Sequence, residues 1–278
     1  MTAPRIGLAL GGGSARGLAH IPMLEVFDEM GLKPAVIAGC SIGALIGAGY
    51  AAGLSAKDIR AHAEAVLGSR MDAMRHVFRA RKARLRDLLA LKGIGSVHIQ
   101  GEKLVELALP HGLPRTIEEL GIPFKVVTTD YELQEERVLT SGNLVKAIAA
   151  SLAIPGVIAG PKLDGRVHVD GGVTNPVPFD HARETCDFVV AIDVTGRPRP
   201  PARAHHSNRE LALGSLLIMF RQVAELRRAA APPEIYVEPA LDSFRGIDFF
   251  KTAAMWAACA PAKEQLKRAL DLRINGIA

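Results

Sequence analysis

Two glycine-rich turns in this chain carry residue types suited to nucleophilic chemistry. The first, Gly39-Cys40-Ser41-Ile42-Gly43, fits the pattern G-x-S-x-G between an apolar run and a helical pattern. A tight strand-to-helix turn of this kind holds the serine in a strained backbone conformation with its Oγ exposed, and flanking glycines let neighbouring backbone approach closely. The helix N-terminus behind Ser41 favours negative charge there. The segment predicts an activated serine, against the alternative of a Gly/Ser-rich turn without chemistry.

The second turn is Gly11-Gly12-Gly13-Ser14-Ala15-Arg16-Gly17, also between a strand and a helix. Consecutive backbone N–H groups in such a loop can point at one spot and suit a phosphate or a developing oxyanion. The loop lacks the Lys-Ser/Thr ending of a P-loop, and Arg16 stands where the dinucleotide fingerprint needs glycine. Gly7, Gly11 and Gly13 match the glycine spacing of short-chain dehydrogenases, although no acidic residue ends the second strand to hold a ribose. A nicotinamide-dependent oxidoreductase therefore stays as an alternative.

The third chemical signal is Asp170-Gly171-Gly172 at the end of a predicted strand. A carboxylate on a glycine turn can reach into the crevice at the strand ends, where open α/β sheets bind ligands. The alternative is an ordinary Asp-Gly turn. His168 shares a strand face with Asp170 and is expected to be a structural or supporting group. Nothing in the sequence singles out a histidine for a Ser-His-Asp triad.

The elements that must position these residues alternate between strand and helix, which predicts a parallel α/β architecture. Strands are expected at Arg5–Leu10, Pro34–Ala38, Phe124–Thr129, Arg166–Val169, Phe188–Val194 and Ile235–Glu238, with a charged hairpin at Tyr131–Thr140. Helices are expected at Ala15–Met30 with Ser14 as its cap, from Ser41 to Ala52, at Ala56–Leu67, Glu102–Leu109, Leu144–Leu152 and Arg209–Ala231, and over most of Ile247–Leu272.

The uncharged stretch Ala35–Leu54 is long enough to span a bilayer, but its five glycines weaken both its hydrophobicity and its helicity. It splits into a short strand and a helix that starts after Ser41. We therefore expect no membrane span there, and the N-terminal residues do not predict a signal peptide.

Composition excludes several classes of protein. With 278 residues and 49% hydrophobic residues, the chain can build a large core, so disorder is excluded. Its three cysteines, Cys40, Cys186 and Cys259, are sparse and far apart, which fits a reducing compartment and a cytoplasmic location. No metal ligands cluster along the chain, so we expect a metal-independent reaction. An aromatic share of 5% argues against nucleic-acid binding.

The net charge of +5 is concentrated in one segment at about 68–100. From Arg70 to Lys92, eight residues are Lys or Arg and two are Asp. If Met71–Leu89 is helical, its basic residues form one stripe beside an apolar face, the pattern of a helix lying on an anionic membrane. A solvated helix that packs on the core gives the same pattern. A third interpretation is that this segment forms a lid over the site.

Taken together, the motifs resemble the bacterial patatin-like phospholipase family. The glycine block at residues 11–17, the elbow Gly39–Gly43, the segment Ala150-Ser151-Leu152-Ala153-Ile154-Pro155 and Asp170-Gly171-Gly172 appear in the order that this family has. The resemblance implies a three-layer α/β/α fold with a mainly parallel central sheet, formed by a single domain over residues 1–278. It also implies acyl-ester hydrolysis, usually on lipids, by a Ser-Asp dyad without histidine and without a cofactor.

Carried onto this chain, the resemblance makes Ser41 the nucleophile and Asp170 the base that accepts or orients its proton. An aspartate is a weak base at neutral pH, so burial or hydrogen bonding has to tune it. The N–H groups of Gly11, Gly12 and Gly13 would receive the oxyanion, and Cys40 and Ser14 are not nucleophiles. The supporting residues would be Gly39, Gly43, Arg16, Gly171 and Gly172, with Arg16 holding the glycine loop or binding a head-group phosphate.

The expected partners are a lipid or another acyl-ester substrate and, peripherally, an anionic membrane, but no nucleic acid. A catalytically silent regulator of the same family is a further alternative. Its mark would be the replacement of a catalytic residue, and none of the four blocks has lost one. The acyl chain, the head group and the oligomeric state are not encoded in any motif.

Overall fold

A computed structural model describes residues 4–68, 99–197 and 208–276. The strands in these ranges are β1 (Ile6–Leu10), β2 (Val36–Cys40), β3 (Ile99–Gln100), β4 (Phe124–Asp130), β5 (Glu135–Leu139), β6 (Ile158–Ala159), β7 (Lys162–Leu163), β8 (Arg166–Asp170), β9 (Phe188–Ile192) and β10 (Ile235–Val237). The expected basic helix within Met71–Leu89 lies outside the described residues, as does most of the Pro/Arg-rich loop.

The α-helices of the same ranges are α1 (His20–Glu29), α2 (Ile42–Ala51), α3 (Ala56–Leu67), α4 (Gly101–Ala108), α5 (Leu144–Ser151), α6 (Asn208–Ala230), α7 (Thr252–Ala258) and α8 (Ala260–Asn275). Short 3-10 helices cover Ser14–Ala19, Ile117–Glu119 and Gly171–Val173. The expected elements are present with shifted ends, and the C-terminal helical region begins at Thr252 rather than at Ile247.

The start of the first helix differs from the prediction. One helix was expected over Ala15–Met30, but a 3-10 helix precedes α1. Ser14 does not cap it, because its φ is 54° and its Oγ donates a hydrogen bond of 2.6 Å to the carbonyl oxygen of Gly246. The Ala15 N–H donates to the same oxygen at 3.0 Å. A distant loop thus fixes this turn, and local sequence could not reveal that contact.

The central sheet is mainly parallel, as predicted. Its strands lie in the order β10-β9-β1-β2-β4-β8-β7, and the first five are parallel to one another. Strands β5 and β8 both pair with β4 in the antiparallel sense. The range Tyr131–Thr140, which was expected to form a hairpin by itself, contains only the turn and β5, and its partner strand is β4. Because β1 and β2 are parallel, their carboxyl ends lie at the same edge of the sheet. Both glycine-rich turns follow these strands and therefore lie at that edge.

Alternation of residue size along the strands determines what packs on each face of the sheet. Large residues such as Leu8, Leu10 and Ile37 point into a core formed with helices from both halves of the chain. The residues between them are small, and Ala9, Ala38 and Ala191 pack against a second cluster that includes Phe179 and Ala224. Successive side chains of a strand face opposite sides, so this pattern covers both faces and gives the predicted three layers.

That the whole chain is a single domain stays a prediction.

Within the uncharged stretch Ala35–Leu54, Val36–Cys40 forms β2 and Ile42–Ala51 forms α2, as expected. Both elements are buried in the core. Among the residues that the structure describes, no helix has the length and apolar character needed to cross a membrane.

Glycines let α2 lie directly on the backbone of β1. A Cβ built on Gly43 would lie 2.1 Å from the carbonyl oxygen of Leu10, far inside van der Waals contact. We expect Gly43→Ala to lower the free energy of unfolding by about 2 kcal/mol or more, because the helix must move away from the strand. Urea unfolding followed by circular dichroism measures this.

The matched control is Gly214→Ala on α6, where an added Cβ meets nothing within 4 Å. This change should raise stability by about 0.5–1 kcal/mol, because glycine is a poor helix former. Equal effects of the two substitutions would contradict the close packing of α2 on β1.

Candidate active site

The G-x-S-x-G segment is a sharp turn between β2 and α2. Ser41 has φ 53° and ψ −123°, a conformation that costs a non-glycine residue about 1–3 kcal/mol. Such strain persists only where the surroundings fix it, and here both flanking glycines are packed against backbone. A Cβ on Gly39 would lie 2.6 Å from the Cα of Ala44, and one on Gly43 would meet Leu10. The expected strained serine at a helix N-terminus is therefore present, but its Oγ is not exposed as expected, because Ser41 is buried and bonded to Asp170.

Strand β4 brings Ser41 and Asp170 together. One edge of β4 pairs with β5, and the other is shared by β2 and β8. Cys40, the last residue of β2, is opposite Val127, and Asp170, the last residue of β8, is opposite Thr128. The two strands therefore end against consecutive residues of β4. The chain separates Ser41 and Asp170 by 129 residues, yet Ser41 Oγ donates a hydrogen bond of 2.7 Å to Asp170 Oδ2.

Burial tunes the Asp170 carboxyl. The residue is 1% exposed, and loss of hydration raises its pKa to about 6, although hydrogen bonds from Ser41 and from the Gly172 N–H oppose this rise. The Gly172 N–H donates to Oδ1 at 2.8 Å and fixes the carboxylate plane. Gly171 has to be glycine because a Cβ there would lie 2.3 Å from the carbonyl oxygen of Val127. The carboxylate is thus a stronger base than an exposed aspartate and still ionised at neutral pH.

Ser151, at the end of α5, holds the elbow through its hydroxyl group. Its Oγ accepts a hydrogen bond of 2.7 Å from the Ser41 N–H and donates one of 2.5 Å to the carbonyl oxygen of Val127. The hydroxyl thereby satisfies two buried backbone groups at once. In the sequence, Ser151 stands out only as part of the small-residue segment Ala150–Pro155, which assigns it no role of its own. No motif within one segment could have found it, because its partners lie on β2 and β4.

Two N–H groups of the glycine loop hydrogen-bond to distant segments of the chain. The Gly11 N–H donates to the carbonyl oxygen of Ile192 at 3.0 Å, and the Gly12 N–H donates to that of Pro176 at 2.8 Å. Among the described residues, none accepts from the N–H of Gly13 or Ser14. Of the three glycines predicted for an oxyanion hole, the structure therefore leaves only Gly13 with a free N–H group. Ser14 adds a second one that the sequence analysis did not assign.

Arg16 is a buried clamp and not a head-group ligand. Its side chain is 1% exposed and donates hydrogen bonds to the carbonyl oxygens of Val194, Phe244 and Thr195. Burial lowers the pKa of the guanidinium, which nevertheless stays charged. Of the two roles that the sequence left open, the structure supports the first, in which Arg16 holds the glycine loop against the segments that follow β9 and β10.

Histidines support the site without touching the dyad. His20 Nε2 lies 2.8 Å from the carbonyl oxygen of Gly11, and complete burial lowers the pKa of the imidazole to about 4, so this ring is neutral and donates to the loop. His168 is buried with its Nε2 3.9 Å from Asp130 Oδ2. In the described part of the chain, no histidine hydrogen-bonds to Ser41 or Asp170. Burial raises the pKa of the Cys40 thiol, so this neighbour of Ser41 is not a thiolate nucleophile.

An apolar cavity of about 320 Å³ adjoins Ser41. Among the described residues that line it, only Ser14, Ser41 and His62 have polar side chains. The apolar walls come from α2, α3, α4 and the residues around Phe249 and Phe250. Because Ser41 itself lines the cavity, a group bound to Ser41 with an apolar tail would have the cavity beside it. No sequence signal predicted this cavity, because its walls come from distant segments.

One polar cluster outside the dyad contains three potential metal ligands, Glu136, Asp180 and His181. Arg227 donates to both carboxylates, at 2.8 Å to Glu136 and at 3.0 Å to Asp180. Asn175 Nδ2 also bonds to both of them. These contacts form a network of ion pairs and hydrogen bonds that connects the segment after Asp170 to β5 and α6.

Comparison with known proteins places this geometry in a family. The family model described as "Patatin-like phospholipase" matches residues 8–183, which include both glycine-rich turns and Asp170. The chain belongs to the patatin-like phospholipase family. Ser41, Asp170 and the glycine loop all lie within the matched region, whereas α6 to α8 lie beyond it.

Individual relatives agree with this family. The chain is 34% identical over 209 residues to an uncharacterised NTE family protein of Mycobacterium tuberculosis, covering 74% of this chain and 54% of that protein. It is 33% identical over 201 residues to patatin-like phospholipase domain-containing protein 7 of Rattus norvegicus, covering 71% of this chain and 14% of that protein. The chain thus spans about half the length of the mycobacterial relatives that it matches. The crystal structure of VipD from Legionella pneumophila superposes with a TM-score of 0.48 at 14% identity, over 96% of this chain and 67% of that chain.

The buried carboxylate has a consequence for stability that can be measured. Because folding raises the pKa of Asp170 to about 6, the ionised form is disfavoured in the folded state, and the group's contribution to stability declines as pH rises from about 4 to 6. Asp170→Asn removes the charge, so above pH 6 this variant should be more stable than the wild type by up to about 3 kcal/mol. The difference should vanish below about pH 4.

Denaturant unfolding at several pH values measures this, with the exposed Asp164→Asn as the control. The control should stay within about 0.5 kcal/mol of the wild type at every pH. A stability difference for Asp170→Asn that does not change with pH would contradict a raised pKa.

Proposed function

We propose that this chain hydrolyses carboxylic ester bonds of lipids through an acyl-Ser41 intermediate. The observation that carries the proposal is the 2.7 Å hydrogen bond from Ser41 Oγ to the buried Asp170, beside an apolar cavity. The family model and the printed names of the relatives, which include patatin-like phospholipases, support a lipid ester as the substrate class.

The first half of the reaction uses the dyad as nucleophile and base. Asp170 Oδ2 accepts the Ser41 Oγ proton while Oγ attacks the carbonyl carbon and forms a tetrahedral oxyanion. Breakdown of this intermediate breaks the bond to the leaving alcohol, which takes the proton from Asp170. In the second half, water attacks the acyl-Ser41 carbonyl, and its proton passes through Asp170 back to Ser41 Oγ. The fatty acid is released and the starting state is restored.

The oxyanion needs hydrogen-bond donors that are already in place. We assign this role to the N–H groups of Gly13 and Ser14, because those of Gly11 and Gly12 already have acceptors. Each such donor is worth about 3 kcal/mol of transition-state stabilisation. The other two glycines contribute by fixing the loop, together with Arg16 and His20. The N-terminus of α2 adds a favourable field at Ser41.

The location that we propose is the reducing interior of the cell, at a lipid surface. The three cysteines are free, in agreement with a reducing compartment. Phe250 lines the cavity and is 45% exposed, and the nearby Ile247 is 70% exposed, so apolar surface continues outward from the cavity. Apolar side chains at the entrance would let a lipid leave a bilayer without exposing its acyl chain to water.

Labelling with a fluorophosphonate probe, read by peptide mass spectrometry, tests the nucleophile. The wild type should carry the label on Ser41, Ser41→Ala should carry none, and Asp170→Asn should react about a hundredfold more slowly, because general base catalysis is lost. The exposed Ser215→Ala on α6 is the matched control and should label like the wild type. Absence of label on folded wild type, both alone and with anionic phospholipid vesicles, would overturn the proposal in favour of a silent regulator.

The pH profile of kcat/KM tests the base. Only the ionised Asp170 can accept the serine proton, so activity should fall as pH drops through about 6, following the raised pKa of this carboxyl. Initial rates of ester hydrolysis from pH 4.5 to 8 measure it. A profile that is flat down to about pH 5 would show that another group serves as the base.

A further inference from the structure

Two helices, α2 and α3, form part of the wall of the cavity beside Ser41. Ile42, Leu45, Ile46 and Gly49 line it from α2, at the spacing of one helix face. From Ile42 to Gly49 this stripe runs about 10 Å along the helix axis. The serine stands at one end of the stripe and the glycine at the other.

The second wall is α3, which follows α2 after the short connection at residues 52–55. It presents a stripe of the same kind, with Ile59, Ala63 and Val66 among its lining residues. The two helices come together at Gly49. A Cβ built there would lie 3.5 Å from Ile59 Cγ1 and 3.7 Å from Leu54 Cδ1, both ordinary contact distances. Neither Ala52 nor Leu54, beyond this point, lines the cavity.

Gly49 is therefore the one α2 lining residue without a side chain, and it lies where the two walls converge. It has no conformational reason to be glycine, since it lies within α2 and its φ is not positive. Glycine within a helix is destabilising, and a methyl group would fit. The missing side chain leaves room for a methyl group between α2 and α3, at the lining residue of α2 that is farthest along the helix from Ser41.

We propose that Gly49 sets the length of the acyl chain that this enzyme accepts. The inference rests on the proposed function, because it places the acyl group of the substrate in the cavity with its carbonyl at Ser41. The chain then extends along α2, and its terminal carbons occupy the space that Gly49 leaves between α2 and α3. A larger side chain at this position shortens the cavity from its far end and leaves the region next to Ser41 unchanged.

The experiment is a chain-length profile for a graded series of variants. Wild type, Gly49→Ala, Gly49→Val and Gly49→Leu are assayed on p-nitrophenyl esters from acetate through octanoate to palmitate. The measured quantity is the ratio of kcat/KM for each long ester to that for acetate. Each methylene that no longer enters an apolar site costs about fourfold, so the ratio for the longest esters should fall at least about tenfold in Gly49→Leu and less in the smaller variants.

Two further variants separate cavity length from general damage. Ala63→Leu fills the same cavity from α3, so it should also lower the ratio. Gly214→Leu on α6, where an added Cβ meets nothing within 4 Å, should keep the wild-type ratio. Circular dichroism melts identify any variant that is not folded. A ratio that stays constant through the Gly49 series, or that falls equally for Gly214→Leu, would overturn the inference.

A binding assay distinguishes failure of this inference from failure of the proposed function. Fatty acids of the same lengths are titrated into Ser41→Ala protein, with and without Gly49→Leu, by calorimetry. If the wild type hydrolyses no ester but Gly49→Leu selectively weakens binding of the long acids, the acyl site stands and the proposed reaction falls. If esters are hydrolysed and neither the activity ratio nor the binding depends on residue 49, the reaction stands and the inference about Gly49 falls.

Discussion

A hydrogen bond of 2.7 Å joins Ser41 Oγ to a carboxylate that is almost completely buried, and the sheet is arranged so that this bond can form. Strands β2 and β8 run in opposite directions, share one edge of β4 and end against its consecutive residues Val127 and Thr128. Any change of register in either strand would separate the two groups. Burial at this junction raises the pKa of Asp170 to about 6, so the same arrangement supplies both the contact and the basicity.

Close approach of backbone segments is the second constraint around the dyad. Gly43 lets α2 lie on β1, Gly171 lets the turn after β8 lie on β4, and Gly13 lies against the carbonyl of Val194. In each case a Cβ would come within 2.3 Å of a carbonyl oxygen. These close contacts bring the strained serine, the buried carboxylate and the glycine loop close together. The strain at Ser41 is tolerated because the neighbouring elements cannot move apart without losing this packing.

Much of the site could be predicted from local pattern. The elbow around Ser41, the Asp-Gly-Gly turn at Asp170 and the parallel α/β alternation are short-range signals, since each depends on residues within one turn or one period of an element. The structure bears out the fold class and the strand-to-helix turn at Ser41. The helix at residues 15–30 was only partly right, because Ser14 is bound to Gly246 from the far end of the chain. Local propensity cannot include such a contact.

The sequence by itself determined which residue types stand at the turns and therefore the class of chemistry. The tertiary structure decided which N–H groups of the glycine loop have acceptors among the described residues, since the acceptors of Gly11 and Gly12 lie more than 160 residues away. It also decided that Arg16 clamps the loop, that Ser151 holds the elbow and that an apolar cavity adjoins Ser41. These properties depend on hydrogen bonds, burial and empty space between segments distant in the chain. A sequence lists residues in order, but only folding sets the distances between them.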